Sequence, residues 1–276
     1  MINDTRGNIE YDESGNGPTL VLVPGSCSTG AAWRPVIAAL NGQFRCVTTS
    51  LPGYGRTAER RSAADPSIAH AAEILEAVVH KAGGAVHLVG HSAGGLVALA
   101  AALRKRIAIK SLAILEAPAI EMLREDDGAQ HLRDFTAMTE RYFAAHAAGE
   151  PDAIAIMIDF YGGPGTYASW PERVRAYAAA TTAVNILDWA GAASFPLRRA
   201  TLATVTAPTL VAWGGASHPA VQRANALLAH CIAGAAQATF AGAAHFMIST
   251  HPGDVARLVA NHVRQVEAAS VERAPA

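Results

Sequence analysis

Short apolar runs alternate with longer amphipathic stretches along most of this 276-residue chain. The runs are unbroken, which is typical of strands that helices cover on both faces. Their alternation with helical patterns predicts βαβ units and a mostly parallel, doubly wound α/β sheet. The predicted strands cover residues 9–11, 19–23, 45–49, 85–89, 111–115, 209–213 and 238–240. The first two flank a glycine-rich turn at 15–17, which predicts an opening hairpin.

Helical patterns fill the spaces between these strands. The pair Asp65-Pro66, a cap residue followed by proline, predicts the start of one helix. Further helices are predicted over residues 93–105 and about 252–267.

One segment, residues 119–203, breaks the alternation because it has several helical patterns and no strong strand pattern. We therefore expect an α/β core formed by residues 1–118 and 204–276. The segment between them is expected to form a helical cap over the carboxyl edge of the sheet.

The composition excludes several classes of function. The formal net charge is -1, and no clustered basic surface of the kind that binds nucleic acid is visible. The polar N-terminus predicts no secretory signal, and no run of about 18 apolar residues predicts a membrane span. Three scattered cysteines, Cys27, Cys46 and Cys231, fit reduced thiols in the cytoplasm. Neither they nor the 11 histidines have metal-ligand spacing, so we expect no metal, no other cofactor and a small-molecule substrate.

Residues 90–94 read Gly-His-Ser-Ala-Gly and match the G-x-S-x-G motif. The motif directly follows a predicted strand and opens a predicted helix. Flanking glycines permit a sharp turn that lifts the Ser92 hydroxyl above the sheet edge. The helix N-terminus supplies partial positive charge and free N–H groups for a developing oxyanion. We interpret Ser92 as a nucleophile, with a plain helix cap as the alternative.

With this motif the chain resembles the α/β-hydrolase family over nearly its whole length. Residues 22–26, Leu-Val-Pro-Gly-Ser, stand where the family has His-Gly after its third strand, with Pro24 in place of the histidine. Residues 51–56, Leu-Pro-Gly-Tyr-Gly-Arg, resemble the family's D-x-P-G-x-G-x-S loop. Ser50 and Thr57 replace its first and last residues.

The resemblance implies an oxyanion hole and a base. The backbone N–H groups of Ser26 and Ala93 would form the oxyanion hole, although Ser26 as an ordinary turn residue is an alternative. Residues 241–246, Ala-Gly-Ala-Ala-His-Phe, resemble the family's G-x-G-H-F segment and identify His245 as the general base. A loop after the last strand can bring this imidazole to the nucleophile. The competing histidines are His91, His218, His230, His251 and His262.

The orienting acid departs from the family pattern. Family members usually place it in a segment like W-G-x-x-D, but residues 213–219 here have Ser217 at that position. The chain has no Asp or Glu at all between Asp188 and Asp254. Glu116, at the end of the predicted strand 111–115, is the candidate for a displaced acid, as in some relatives that take it from that strand.

Three alternatives to this acid remain open. Glu116 could instead pair with an arginine of the cap as a structural residue. The site could be a Ser–His dyad without an acid, or Asp126 or Asp127 of the cap could supply the carboxylate.

A serine nucleophile excludes dehalogenases and epoxide hydrolases that use an aspartate nucleophile. The expected reaction is hydrolysis of an ester, lactone or thioester with a small to medium hydrophobic acyl part. Candidate lining side chains, most of which we expect to pack within the cap, are Phe135, Tyr142, Phe143, Met157, Phe160, Tyr161, Tyr167, Trp170 and Trp189. A carbon–carbon bond hydrolase, a cofactor-free perhydrolase and a ligand receptor with little turnover are the alternatives.

Overall fold

The structure, a computed structural model, describes residues 1–125 and 129–272. One seven-stranded sheet lies in this part of the chain, and it confirms the predicted α/β class. Its strands are β1 (Asp12–Ser14), β2 (Thr19–Val23), β3 (Arg45–Thr48), β4 (Val86–His91), β5 (Ile109–Leu115), β6 (Thr209–Gly214) and β7 (Ala236–Phe240). The spatial order is β1-β3-β2-β4-β5-β6-β7, and only the β1–β3 pair is antiparallel among these strands.

Helices cover both faces of the sheet and fill the region between β5 and β6. They are α1 (Arg34–Ala39), α2 (Ala69–Ala82), α3 (Ala93–Arg104), α4 (Ala129–Ala147), α5 (Ile154–Gly162), α6 (Thr166–Ser169), α7 (Glu172–Ala180), α8 (Thr182–Ala193), α9 (Arg199–Leu202), α10 (Pro219–Cys231), α11 (Met247–Thr250) and α12 (Pro252–Glu272), with 3-10 helices at Gly30–Trp33 and Ile120–Glu125. No helix within residues 1–125 and 129–272 has the length and apolar character needed to cross a membrane.

Strand β2 shows how one short strand supplies two apolar layers. Val21 and Val23 pack in a cluster with side chains of α2 and α3, whereas Leu20 and Leu22 pack in a cluster with α1 and α12. All four are buried. Successive side chains point to opposite faces of a strand, so an unbroken apolar run is what a sheet covered on both sides requires.

The predicted opening hairpin is wrong. Strand β1 begins at Asp12, later than the predicted 9–11, and it pairs with β3 rather than β2. Both edges of β2 are already occupied by the parallel strands β3 and β4, which leaves no edge for a hairpin partner. Ile9 instead forms an isolated antiparallel bridge with Ile2.

Two helix boundaries also differ from prediction. Helix α2 begins at Ala69 rather than directly after Asp65. The carboxylate of Asp65 accepts the N–H of Ser67, whose hydroxyl accepts the N–H of Ala69, and this side-chain turn delays the helix. Helix α12 continues to Glu272, beyond the predicted end near 267.

The region between β5 and β6 has an apolar cluster of its own. Within its described residues it contains a 3-10 helix and helices α4 to α9, and no strand. Tyr142 is fully buried in this cluster, and its hydroxyl donates to the Oδ1 of Asn185 over 2.8 Å. Other members of the cluster are Met138, Ile154, Ile158 and Tyr167. We call residues 119–203 the insertion below.

Candidate active site

Ser92 lies in a strained turn between β4 and α3. Its backbone has φ 54° and ψ -129°, a conformation that residues other than glycine rarely adopt. The turn is held to the next strand because the N–H of Ser92 donates to the carbonyl of Leu115 over 2.9 Å. A Cβ at Gly90 would lie 2.3 Å from the carbonyl oxygen of Gly94, so only glycine fits there. The turn therefore presents the Ser92 hydroxyl at the carboxyl edge of the sheet.

His245 follows β7 and reaches this hydroxyl. Its Nε2 lies 2.9 Å from the Oγ of Ser92, across 153 positions of sequence. The side chain is almost completely buried. The structure thus brings together the serine and the histidine that the sequence singled out, at a distance that permits proton transfer.

Glu116 lies on the far side of the imidazole. It directly follows β5, with a positive φ of 49°, and its N–H donates to the carbonyl of Ala212 over 2.7 Å. Its side chain has no exposed surface, and its Oε1 lies 2.7 Å from the Nδ1 of His245. The backbone N–H of Gly214 and the hydroxyl of Ser217 also donate to the carboxylate, over 2.6 and 2.7 Å. Glu116 pairs with the histidine here, and no cap arginine is among these contacts.

These contacts fix the tautomer of His245. A carboxylate only accepts hydrogen bonds, so Nδ1 carries the proton that is donated to Glu116. Nε2 then has a free lone pair facing the hydroxyl of Ser92, as a general base requires. Ser217 stands at the position where the family usually has its acid, and its hydroxyl donates to the carboxylate of Glu116. The other two candidate acids, Asp126 and Asp127, lie outside the described residues.

His91 has a role that the sequence did not reveal. Its Nε2–H donates to the backbone carbonyl of His245 over 2.8 Å, and the two rings lie 4.9 Å apart. Burial, with a smaller contribution from the charge of His245, lowers the pKa of His91 from 6.5 to about 3. His91 is therefore neutral at physiological pH, and its hydrogen bond holds the backbone of His245. Its position beside Ser92 in the motif was the only available signal.

The resemblance implied that the backbone N–H groups of Ser26 and Ala93 form an oxyanion hole, and both residues lie beside the nucleophile. Ala93 begins helix α3, where the helix dipole favours negative charge. Ser26 lies on the loop after β2, which approaches the nucleophile so closely that a Cβ at Gly25 would lie 2.8 Å from the Cβ of Ser92. Within the described part of the chain, neither N–H donates a hydrogen bond to another group.

A cavity of about 880 Å³ opens above Ser92 and His245. Its wall combines residues of the core with residues of the insertion. Of the nine candidate lining side chains, most of which were expected to pack within the cap, Tyr142, Phe143, Phe160 and Tyr167 do not line it. Those that do line it are Phe135, Met157, Tyr161, Trp170 and Trp189. Such a largely apolar wall around a few polar groups is typical of a small-molecule site.

The side chains that could bind a metal ion are not clustered in the described part of the chain. Among residues 1–125 and 129–272, no group of three or more His, Cys, Asp or Glu side chains is arranged to hold a metal ion. Cys27 lines the cavity, but burial raises the pKa of its thiol to about 12, with a further contribution from the charge of Asp188. The thiol is therefore protonated near neutral pH and is a poor nucleophile.

This chain is similar in sequence and in fold to several known proteins. A family model described as the alpha/beta hydrolase family matches residues 20–258. The chain is 32% identical over 158 residues to a pimeloyl-[acyl-carrier protein] methyl ester esterase of Vibrio campbellii. The match covers 53% of this chain and 59% of the relative, which is less than two thirds of its length.

Two solved structures illustrate the similarity of fold. MenH from S. aureus superposes with a TM-score of 0.74 at 17% identity, covering 93% of this chain and 98% of that one. A thermophilic esterase from Thermogutta terrifontis has a TM-score of 0.71 at 22% identity, covering 94% and 93% of the two chains. At this identity the likeness concerns the fold alone.

Proposed function

Because this chain belongs to the α/β-hydrolase family, we propose that it hydrolyses carboxylic esters through an acyl-enzyme on Ser92. The observation that carries the proposal is the hydrogen-bonded series of Ser92, His245 and Glu116 beneath the cavity. The similarity to a curated methyl ester esterase also supports this reaction.

In the first half of the reaction His245 is the base. Its Nε2 takes the proton of the Ser92 hydroxyl as the oxygen attacks the substrate carbonyl carbon. The resulting imidazolium is stabilised by the carboxylate of Glu116. That carboxylate also accepts hydrogen bonds from the N–H of Gly214 and the hydroxyl of Ser217. The N–H groups of Ser26 and Ala93 bind the oxyanion of the tetrahedral intermediate. His245 then protonates the leaving alkoxide, and the acyl group stays on Ser92.

In the second half, water replaces the alcohol. His245 takes a proton from water, the hydroxide attacks the acyl carbon, and collapse of the second intermediate releases the carboxylic acid. Ser92 recovers its proton from the imidazolium. Each step uses side chains of this chain, and we propose no cofactor.

We further propose that the insertion is a cap that helps to select the substrate. Its separate apolar cluster and its contribution to the cavity wall support this division from the core. A wall with Phe135, Met157 and Trp189 favours a small to medium hydrophobic acyl group. Lactones and thioesters undergo the same acyl transfer and are included in the proposed substrate class.

The proposal is tested by the turnover of p-nitrophenyl esters with acyl chains from two to eight carbons. We expect hydrolysis by the wild-type protein and a loss of about 10⁴-fold or more in Ser92→Ala, with the fold intact. Ser194→Ala is the control, because this serine does not line the cavity and its hydroxyl donates to the carbonyl of Gly191 on helix α8. A Ser92→Ala protein that keeps more than about a tenth of wild-type turnover would place the nucleophile elsewhere.

A further inference from the structure

A buried carboxylate of the insertion contacts the loop that carries Ser26. Asp188 lies on helix α8, and only 8% of its side chain is exposed. Its Oδ2 accepts hydrogen bonds from the hydroxyls of Ser26 and Tyr54, over 2.5 and 2.6 Å. Its Oδ1 accepts one from the guanidinium of Arg61 over 2.5 Å. All three partners donate, so the arrangement fits the ionised carboxylate.

Asp188 is also held through its other carboxylate oxygen, Oδ1. Arg61 is itself buried, and it also donates to Glu59 over 2.8 Å and to the carbonyl of Pro52 over 3.0 Å. Burial raises the pKa of Asp188, whereas the charge of Arg61 and the hydroxyl donors oppose that rise. Because both carboxylate oxygens already accept hydrogen bonds, Asp188 is arranged to hold its neighbours rather than to take a proton.

The loop that Asp188 contacts needs support. Cys27, directly after Ser26, has a positive φ of 55°, which residues other than glycine rarely adopt. Such a conformation persists only where surrounding contacts impose it. The hydroxyl of Ser28 donates to the carbonyl of Gly25 over 2.9 Å, and the hydroxyl of Ser26 to Asp188. The second of these contacts comes from a different part of the chain, 162 positions away.

We infer that Asp188 is a positioning residue for the oxyanion hole. By holding the side chain of Ser26, it fixes the direction of the Ser26 backbone N–H toward the oxyanion. The inference rests on the proposed function, because the oxyanion forms only if Ser92 attacks an acyl carbonyl. It also gives the insertion a part in the chemical step, beyond selecting the substrate.

The first test compares Asp188→Asn with Asp152→Asn. Asp152 also belongs to the insertion and accepts a tyrosine hydroxyl, that of Tyr167, but it does not line the cavity. With p-nitrophenyl butyrate we expect Asp188→Asn to lower kcat by about 10- to 100-fold. KM should change by less than about threefold, because the oxyanion contact is made in the transition state. Asp152→Asn should keep wild-type kcat.

The second test removes the hydroxyl of Ser26, which donates the hydrogen bond to Asp188. Ser26→Ala keeps the backbone N–H but loses the hydroxyl, so we expect a similar loss in kcat. If the two residues act through one contact, the double variant should be no more than about twofold slower than the slower single variant. Ser26→Ala also keeps the inference testable if Asp188→Asn does not fold.

A third measurement separates positioning from loss of folded protein. Rates are divided by the number of active sites, titrated with a fluorophosphonate, and the affinity for an alkyl boronic acid is measured. The boronate adduct of Ser92 resembles the tetrahedral intermediate, so its affinity should fall by about the same factor as kcat. A purely structural role would lower the titre and leave both values per active site unchanged.

The failures of the two proposals are distinguishable. If the wild-type protein turns over esters and either variant keeps more than about a third of its kcat per site, the role of Asp188 is overturned and the proposed function stands. A wild-type protein without ester turnover would overturn the proposed function, and the role of Asp188 with it.

Discussion

The charge of Glu116 can be removed without changing the size of the side chain. Glu116→Gln replaces a buried carboxylate, 2.7 Å from the Nδ1 of His245, with a neutral amide. The imidazolium formed during attack then loses its counter-charge. The amide also has one acceptor oxygen for three donors, which are His245, Gly214 and Ser217. An amide nitrogen facing Nδ1 would favour the tautomer in which Nε2 carries the proton and cannot act as base.

We expect a loss of up to about 10⁴-fold in kcat, which corresponds to about 5.5 kcal/mol of transition-state stabilisation. The assay is steady-state hydrolysis of a p-nitrophenyl ester, with KM expected to change little because Glu116 is buried and does not line the cavity. Glu76→Gln is the matched control. It removes another buried glutamate, paired with Arg104 over 2.6 Å, and should lower thermal stability without lowering kcat.

A carboxylate at the family's usual position should partly replace Glu116. The hydroxyl of Ser217 already lies 2.7 Å from the Glu116 carboxylate, so an aspartate there would reach the same space. Glu116→Ala clears that space, and Ser217→Asp in this background should recover at least about tenfold in kcat. If Glu116→Gln costs less than about threefold, the reasoning about the acid is refuted. A Ser–His dyad, or a carboxylate from 126 or 127, would then be the next hypothesis.

Three further perturbations test the packing around the site. Gly90→Ala should cost about 1–3 kcal/mol of stability and most of the turnover, because the added Cβ would lie 2.3 Å from a backbone oxygen. The control is Gly253→Ala, which should be neutral because no atom lies within 4 Å of the added Cβ. Thermal denaturation and kcat are measured for both variants. His91 has a lowered pKa, so below pH 6.5 the unfolded chain binds a proton that the folded chain refuses. The free energy of unfolding measured in urea should therefore fall by up to about 1.4 kcal/mol per pH unit between pH 6.5 and pH 3. This part of the pH dependence should be absent in His91→Gln, and an unchanged pH dependence would contradict the assignment. Deletion of residues 129–193 with a short linker should leave a cooperatively folding core with an altered ester preference and, because Asp188 is removed, a lower kcat. Loss of the folding transition would show that this segment is integral to the core.

The parts of the site that the sequence predicted are those tied to local patterns. Ser92 lies in a motif whose glycines, strand and helix are adjacent in sequence, and His245 follows the last strand. Glu116 was predicted because the usual loop has no carboxylate and because some members of the family that the chain resembles take their acid from the strand before it. The structure places these three side chains in one hydrogen-bonded series. Parallel strands carry their ends to one edge of the sheet, so knowing the strands was enough to bring the residues near each other.

The parts that the sequence did not predict depend on contacts between distant segments. Nothing local to Asp188, on helix α8, indicates that its carboxylate accepts a hydrogen bond from Ser26, on the loop after β2. The supporting hydrogen bond from His91 to the backbone of His245 is equally invisible, because any residue can provide a carbonyl. The opening hairpin was wrong for a related reason. Which strand β1 joins depends on the free edges of the sheet, and no local pattern records them.

The central claim is that Ser92 is an activated nucleophile. The most direct measurement is mass spectrometry of the intact and digested protein after reaction with a fluorophosphonate probe, because the probe bonds only to a serine that is both activated and accessible. We predict one adduct per chain, on the peptide that contains Ser92, and no adduct in Ser92→Ala. An adduct on another residue, or an unmodified wild-type protein, would contradict the account.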